Sequence, residues 1–285
     1  MLDKLRKFLP AKFRKEGQIV PVVRLQGAIG MATPLRPGLS LAGVAQQLEK
    51  AFSMKKAPAV ALVVNSPGGS PVQSRLIFQR IRDLAEEHEK EVLVFVEDVA
   101  ASGGYMIAVA GDEIIADPSS ILGSIGVVSA GFGLKGLIEK IGVERRVYTA
   151  GENKVTLDPF QDEKPADIEH LKSLQLEIHE TFIDLVKSRR ADVLSDNPDL
   201  FTGKFWAGKT ARDLGLVDAI GDLRGTLKAR YGEKTEMKLI SAPKGLFGRR
   251  SGGNGISSLF GMDKSMADDL VSSVEERALW MRYGL

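Results

Sequence analysis

The stretch Ala101-Ser102-Gly103-Gly104 holds the residue types best suited to nucleophilic chemistry in this chain. It follows Val92-Leu93-Val94-Phe95-Val96, a β-branched and aromatic run that predicts a short buried strand ending before Glu97-Asp98. Tyr105, Met106, Ile107, Ala108 and Ala110 then suit a helix packed on its neighbours. A strand that breaks at small residues and opens a helix puts Ser102 at the helix N-terminus. Unpaired N–H groups and the helix dipole stabilise negative charge there. A serine nucleophile needs that help, both as an alkoxide and for the oxyanion of its acyl intermediate. A serine that merely caps the helix would stand at the same place, and this stretch alone leaves both readings open.

A nucleophilic serine also needs a base. The three histidines are poorly placed: His88 precedes the central strand, and His170 and His179 fall on a long amphipathic helix. A lysine can act instead if it is held neutral, which requires desolvation and few negative neighbours. Serine–lysine pairs are an attested variant of the serine triad. Lys154 is one candidate, because the loop Ala150-Gly151-Glu152-Asn153 follows an expected strand at Glu144–Thr149 and could return it to a strand-end crevice. Pattern alone does not choose it over other lysines.

The elements that must position these residues alternate. Strands are expected at Gln18–Leu25, Ala59–Val64, Val92–Val96, Glu113–Ala116, Glu144–Thr149 and Glu236–Ile240. Helices are expected at Leu41–Phe52 behind a Ser40 cap, from Pro71 to about Lys90, at Lys135–Ile141, Pro165–Arg190 and Leu223–Arg230. Phe201–Gly221 reads as a glycine-punctuated helix and turn, with Trp206 and Leu216 packed on the main body. Strands alternating with helices make an α/β protein of βα units around a mostly parallel sheet. Ligands of such sheets bind beyond the carboxyl ends of the strands. Two glycine-rich loops fall there, Asn65-Ser66-Pro67-Gly68-Gly69-Ser70 and Ala100–Gly104.

Composition narrows the chemistry. With 285 residues, 44% hydrophobic and 27% charged, the chain can bury a large core. Lys+Arg 39 against Asp+Glu 37 gives no electrostatic case for nucleic acid. The absence of cysteine removes disulfides, thiol nucleophiles and thiolate-bound metals, and no HExxH pairing or His–carboxylate cluster suggests a metal site. No transmembrane run or signal-peptide h-region is visible, so a cytoplasmic location is expected. Residues 1–16 form a basic arm whose Lys4, Arg6, Lys7, Lys12, Arg14 and Lys15 interleave with Leu2, Leu5, Phe8, Leu9 and Phe13. Such an arm suits peripheral contact with an anionic surface such as the inner membrane, and a solvated tail is the plainer alternative. Residues 243–262 read as a Gly/Ser-rich linker and 263–285 as a C-terminal helix, leaving 17–242 as the main domain.

Four motifs in order carry a family likeness: Asn65-Ser66-Pro67-Gly68-Gly69, Ala101-Ser102-Gly103-Gly104-Tyr105, Gly123-Ser124-Ile125-Gly126-Val127, and Gly151–Lys154 with Asp158-Pro159-Phe160. Together with the later Trp206-Ala207-Gly208 and Gly215-Leu216-Val217-Asp218, this series resembles the S49 serine peptidases, which include the signal peptide peptidase A and SohB-like proteins. The resemblance runs from about Gln18 to Gly221. It implies a Clp/crotonase-type fold and a Ser–Lys dyad that needs no cofactor. In the dyad Ser102 would be the nucleophile and Lys154 the general base, 52 residues downstream. Ser124 would orient the lysine, and the N–H groups of Gly69 and Gly103 would form the oxyanion hole. It also implies a ring-like homo-oligomer acting on peptide or protein substrates such as signal-peptide remnants or misfolded segments. The usual membrane anchor of signal peptide peptidases is not seen in this sequence. Two rival readings are a crotonase-like acyl-CoA enzyme and a non-catalytic membrane quality-control scaffold. Ser102 together with Lys154 argues against both.

Overall fold

The two strands read as continuously apolar lie side by side at the middle of an eight-stranded sheet. In this computed structural model, which describes residues 17–30, 38–241, 274 and 276–285, the described chain falls into two compact units. One comprises Met1–Ile125 with Leu185–Leu285, the other Gly126–Asp184. The arm 1–16, the linker 243–262 and most of the expected C-terminal helix lie outside the described residues.

The sheet belongs to the first unit. Its strands are β1 (Ile19–Gln26), β2 (Ala59–Ser66), β3 (Glu91–Ala101), β4 (Glu113–Ala116), β5 (Ile121–Gly123), β6 (Phe205–Ala207), β7 (Ala219–Ile220) and β8 (Glu236–Leu239). The order is β6-β5-β3-β2-β1-β8, with β4 also paired to β3 and β7 to β4. Every pairing is parallel except β5 with β6. This is the expected α/β architecture with a mostly parallel sheet, consistent with a Clp/crotonase-type fold.

β2 is buried at every position, as a strand covered on both faces must be. On one face Val20, Val22, Ala61, Val63, Leu93 and Phe95 form a core closed by Leu227 of the helix Leu223–Tyr231. The alternate residues Val23, Leu25, Leu62 and Val94 are also buried and point the other way. The helices α1 (Leu41–Phe52), α2 (Pro71–Glu87) and α3 (Gly103–Ala108) pack on the sheet and on one another. Ser40 and Ser70 cap α1 and α2, accepting from Gly43 and Gln73 N–H at 3.3 Å each.

Three expectations need correction. β3 does not stop at Val96 but runs to Ala101. Glu97 and Asp98 interrupt its apolar run because β3 changes partner there: Leu93–Val96 pair with β4, and Val99–Ala101 pair with β5. Second, Phe201–Gly221 contains the strands β6 and β7 around a short helix, Gly208–Asp213, rather than one helix and turn. Strands of two or three residues leave no period to read; their tertiary partners create them. Leu216 is fully buried as expected, and Trp206 is half-buried.

The third concerns Glu144–Thr149, which forms no strand. None of the described strands pairs with it, and an extended segment without a ladder partner gains nothing from strand propensity. It lies in the second unit, where the helix α4 (Lys135–Lys140) buries none of its residues. Helix α5 (Pro165–Arg190) forms as expected, but Leu174, Leu176 and Ile178 are exposed on it. Among the described residues, no helix is long and apolar enough to cross a membrane.

Candidate active site

Ser102 stands at the N-cap position of α3 but does not cap it. Its side chain makes no capping hydrogen bond, and its backbone sits at φ 52°, ψ −123°. That is the mirror-turn conformation glycine normally fills, and a side chain there is strained. Its amide is pinned on the other side of the turn, donating to the Gly123 carbonyl at 2.8 Å. Ser102 is half-buried while Ala101 and Gly103 through Ala110 are all buried. The turn therefore presents one reachable hydroxyl at the end of a rigid strand. Strand-to-helix turns that carry a nucleophile use the same device.

The loop after β2 comes up against this turn. Gly68 and Gly69 have φ of 105° and 140°. A methyl at Gly68 would fall 2.8 Å from Ser102 Cβ and 3.0 Å from Gly103 N, and one at Gly69 would fall 2.2 Å from the Ile29 carbonyl oxygen. The Ile29 N–H donates to Gly68 O and the Ser70 N–H to Ile29 O, both at 2.8 Å, so residues after β1 clamp the loop from outside. Gly103 and Gly104 are equally constrained: a methyl would meet Ser74 Oγ at 2.3 Å in the first case and Ser66 O at 2.4 Å in the second. The two glycine-rich strand ends thus face one place. The residue that touches Ser102, Gly68, was not singled out from sequence; the paired glycines were its only signal. Ser66 and Ser74 were also missed. Both are fully buried, with their hydroxyls spent on the carbonyls of Gly27 at 2.7 Å and Ser70 at 2.8 Å.

Ser124 is in the same unit, directly after the residue that holds the Ser102 amide. It is 3% exposed with φ 53°, and its N–H donates to Lys204 O at 2.7 Å. Its hydroxyl accepts from the phenol of Tyr283 at 3.2 Å. Sequence reading gave no hint of that partner.

Lys154 lies in the second unit, on the turn Gly151–Leu157, and is exposed. Its N–H approaches the Gly151 carbonyl at 3.4 Å, and Gly151 has φ 104°. Asp158 closes the turn. Its carboxylate accepts from Phe160 N–H at 3.1 Å and from Arg145 at 2.7 and 3.0 Å. The Phe160 amide, with Arg145 beside it, holds that carboxyl below the usual carboxylate range. Of the histidines, His88 ends α2, the helix whose opposite end carries Ser70 at the site, and His170 is exposed on α5. Among the described residues, no group of three His, Asp or Glu is placed to hold a metal.

The motif Gly215-Leu216-Val217-Asp218 has a structural task. Tyr105, fully buried one turn into α3, donates to Leu216 O at 2.8 Å, and burial raises its phenol pKa. Arg190 donates twice to Gly215 O, at 2.8 and 3.0 Å, and pairs with Asp218 at 2.8 Å. Asp218 also accepts from Ile114 N–H at 2.7 Å, tying the clamp to β4. The helix carrying Ser102 at its head is thus held from behind.

A model of Peptidase family S49 matches residues 85–235, a span that includes Ser102, Ser124 and Lys154. A Brucella abortus protein named Na(+)/H(+) antiporter NhaA is 63% identical over 286 residues, covering 99% of this chain and 39% of its own length. The chain therefore spans about two fifths of that relative. "Putative protease MJ0651" of Methanocaldococcus jannaschii is 35% identical over 236 residues, covering 76% of this chain and 72% of its own. "Serine protease SPPA, chloroplastic" of Arabidopsis thaliana is 35% identical over 211 residues, covering 72% of this chain and 31% of its own. Matched over more than half its length by the family model, and over most of it by relatives named as proteases, the chain belongs to peptidase family S49.

Proposed function

We propose that the chain is a serine endopeptidase that cleaves peptide bonds with Ser102 as nucleophile and Lys154 as general base. The observation that carries this reading is Ser102 itself: a strained, non-capping serine whose hydroxyl is reachable beside the Gly68 loop. In the mechanism, neutral Lys154 takes the Ser102 proton as the serine oxygen attacks the substrate carbonyl. The N–H groups of Gly69 and Gly103 receive the oxyanion. Collapse of the tetrahedral intermediate breaks the C–N bond, and protonated Lys154 gives its proton to the leaving amine. Water, deprotonated by Lys154, then releases the acyl group from Ser102. Ser124 orients the lysine. Peptides, signal-peptide remnants and misfolded segments are the proposed substrates.

A lysine base must be shielded from water, and Lys154 is exposed in the isolated chain. The second unit also exposes Val128, Leu137, Ile141 and Val143, with Phe132 at 85% and Tyr148 at 90%. A surface this apolar favours an interface, and a second copy of the chain is the proposed cover. The basic arm 1–16 is proposed to keep the assembly near an anionic membrane. A segment alike in sequence within a protein named as an antiporter agrees with that neighbourhood.

A crotonase-type acyl-CoA enzyme would share the sheet but gains nothing from a strained serine. The test is a fluorophosphonate probe applied to the whole chain, with the labelled residue mapped by mass spectrometry and peptide hydrolysis measured in parallel. Labelling at Ser102, lost with hydrolysis in Ser102→Ala and accompanied by no turnover in Lys154→Arg, is expected, since a guanidinium cannot take the serine proton. Hydrolysis that survives Ser102→Ala overturns the proposal.

A further inference from the structure

The segment 276–285 has a place beside Ser102 that none of the motifs accounts for. It is helical over 276–281 and then turns, and its Tyr283 is 8% exposed. Apolar contacts hold it there. Tyr283 forms a buried cluster with Val99 and Ala101, near the end of β3 before the serine turn, and Ile121 and Trp280 pack against that cluster. Its ring meets Phe205 edge-on at 5.1 Å and 76°. The phenol is therefore fixed by packing before any hydrogen bond is counted, and its donor reaches the Ser124 hydroxyl at 3.2 Å in a buried setting.

This matters because Ser124 has few other restraints on its side chain. A serine hydroxyl offers one proton and two lone pairs and rotates freely unless a partner holds it. With one lone pair taken by Tyr283, the oxygen keeps a second one and its proton in set directions. The backbone on either side is already locked: Gly123 O holds the Ser102 amide, and Ser124 N–H is bound to Lys204 O. A methyl at Gly123 would fall 2.9 Å from the Trp206 ring, so the turn cannot relax outward. The side chain keeps the freedom that the backbone has lost, and the Tyr283 hydrogen bond restrains it.

We propose that Tyr283 is a positioning residue of the peptidase site: it locks the Ser124 hydroxyl, so that docking of the segment 276–285 sets the turnover rate. This rests on the reading above, in which Ser124 orients the lysine base. The dependence runs in one direction. In this reading Tyr283 acts on the reaction only through Ser124.

The experiment is a double-mutant cycle in the full chain, with Tyr283→Phe, Ser124→Ala and the two combined, reading kcat and KM on a fluorogenic peptide, the rate of Ser102 labelling by a fluorophosphonate, and thermal unfolding. Tyr283→Phe keeps the ring and its packing and removes only the hydroxyl. It is expected to lower kcat and the labelling rate about tenfold, the scale of one hydrogen bond, with KM unchanged and Tm lowered by no more than a few degrees. Ser124→Ala should lower kcat at least as far, and the combined variant should be no slower than Ser124→Ala alone. A merely structural tyrosine would instead slow both backgrounds by the same factor. Wild-type turnover in Tyr283→Phe with a slowed Ser124→Ala overturns the inference alone, as does an equal loss from Tyr283→Phe in both backgrounds. Full activity of Ser124→Ala, or no labelling of Ser102 in the unaltered chain, overturns the underlying reading and the inference with it.

Discussion

Gly68 stands against Ser102 so closely that a methyl group on it would lie 2.8 Å from the serine Cβ. The contact joins the end of β2 to the end of β3 and leaves no room for a side chain between them. Gly68→Ala must therefore push the serine turn or the loop aside, and it also places a side chain at φ 105°. We expect peptide hydrolysis to fall by about 100-fold or more, the loss seen when an oxyanion donor is misplaced. Stability should fall by roughly 1–3 kcal/mol. Comparing kcat/KM with the unfolding midpoint of the purified variant checks both.

Ser102 pays in stability for its position, and the strain should be recoverable. Ser102→Gly and Ser102→Ala both remove the proposed nucleophile, yet only glycine accepts φ 52°, ψ −123° without strain. The glycine variant is expected to melt above the alanine variant by about 2–4 °C, corresponding to about 1 kcal/mol. Equal melting temperatures in a calorimeter would show that the turn is not strained.

Much of this was legible in the residues. β2 and the first half of β3 announced themselves as apolar runs, and Ser40 as a helix start. Ser102 was legible as a serine at a strand end, open to either capping or nucleophilic use, and the roles of Gly69 and Gly103 came only with the family resemblance. What was not legible depends on partners distant in sequence. β5, β6 and β7 are strands only because neighbours supply their hydrogen bonds. Glu144–Thr149 has the composition of a strand but no ladder partner among the described strands. Tyr283 looked like one aromatic residue in a terminal helix, because its meeting with Ser124 across 159 residues leaves no local pattern.

The clamp behind α3 should be the costliest polar feature of the first unit to break. Arg190 is 6% exposed at its side chain and pairs with Asp218 while donating twice to Gly215 O. Arg190→Ala leaves the buried Gly215 carbonyl without its donors, while Asp218, 29% exposed at its side chain, can turn to water, a loss of about 1–3 kcal/mol. The variant is expected to melt roughly 3–8 °C lower. A shift of under two degrees in circular dichroism melting would mean that water replaces the guanidinium.

Assembly should govern activity if a second copy covers the second unit. Phe132 is 85% exposed, so Phe132→Asp should change the stability of the isolated chain by no more than about 0.5 kcal/mol. Its specific activity should nonetheless fall, along with the mass measured by light scattering, and the wild type should lose activity on dilution. A Phe132→Asp chain that keeps both the wild-type mass and the wild-type rate would separate this surface from assembly.

The change of partner within β3 divides the ladder into two regimes. Up to Val96 the strand is braced by β2 and β4, but Val99–Ala101 are held by β5 and the single pair Ser66↔Ala100. Opening the short rim of β5, β6 and the Tyr283 segment would free the Ser102 amide from Gly123 without breaking one bond between β1, β2 and the first half of β3. Native proteins open in such cooperative parts, each with its own free energy. Ser102, the proposed nucleophile, would thus ride on the part of β3 most easily opened, free to adjust around a substrate while the deep sheet stays shut.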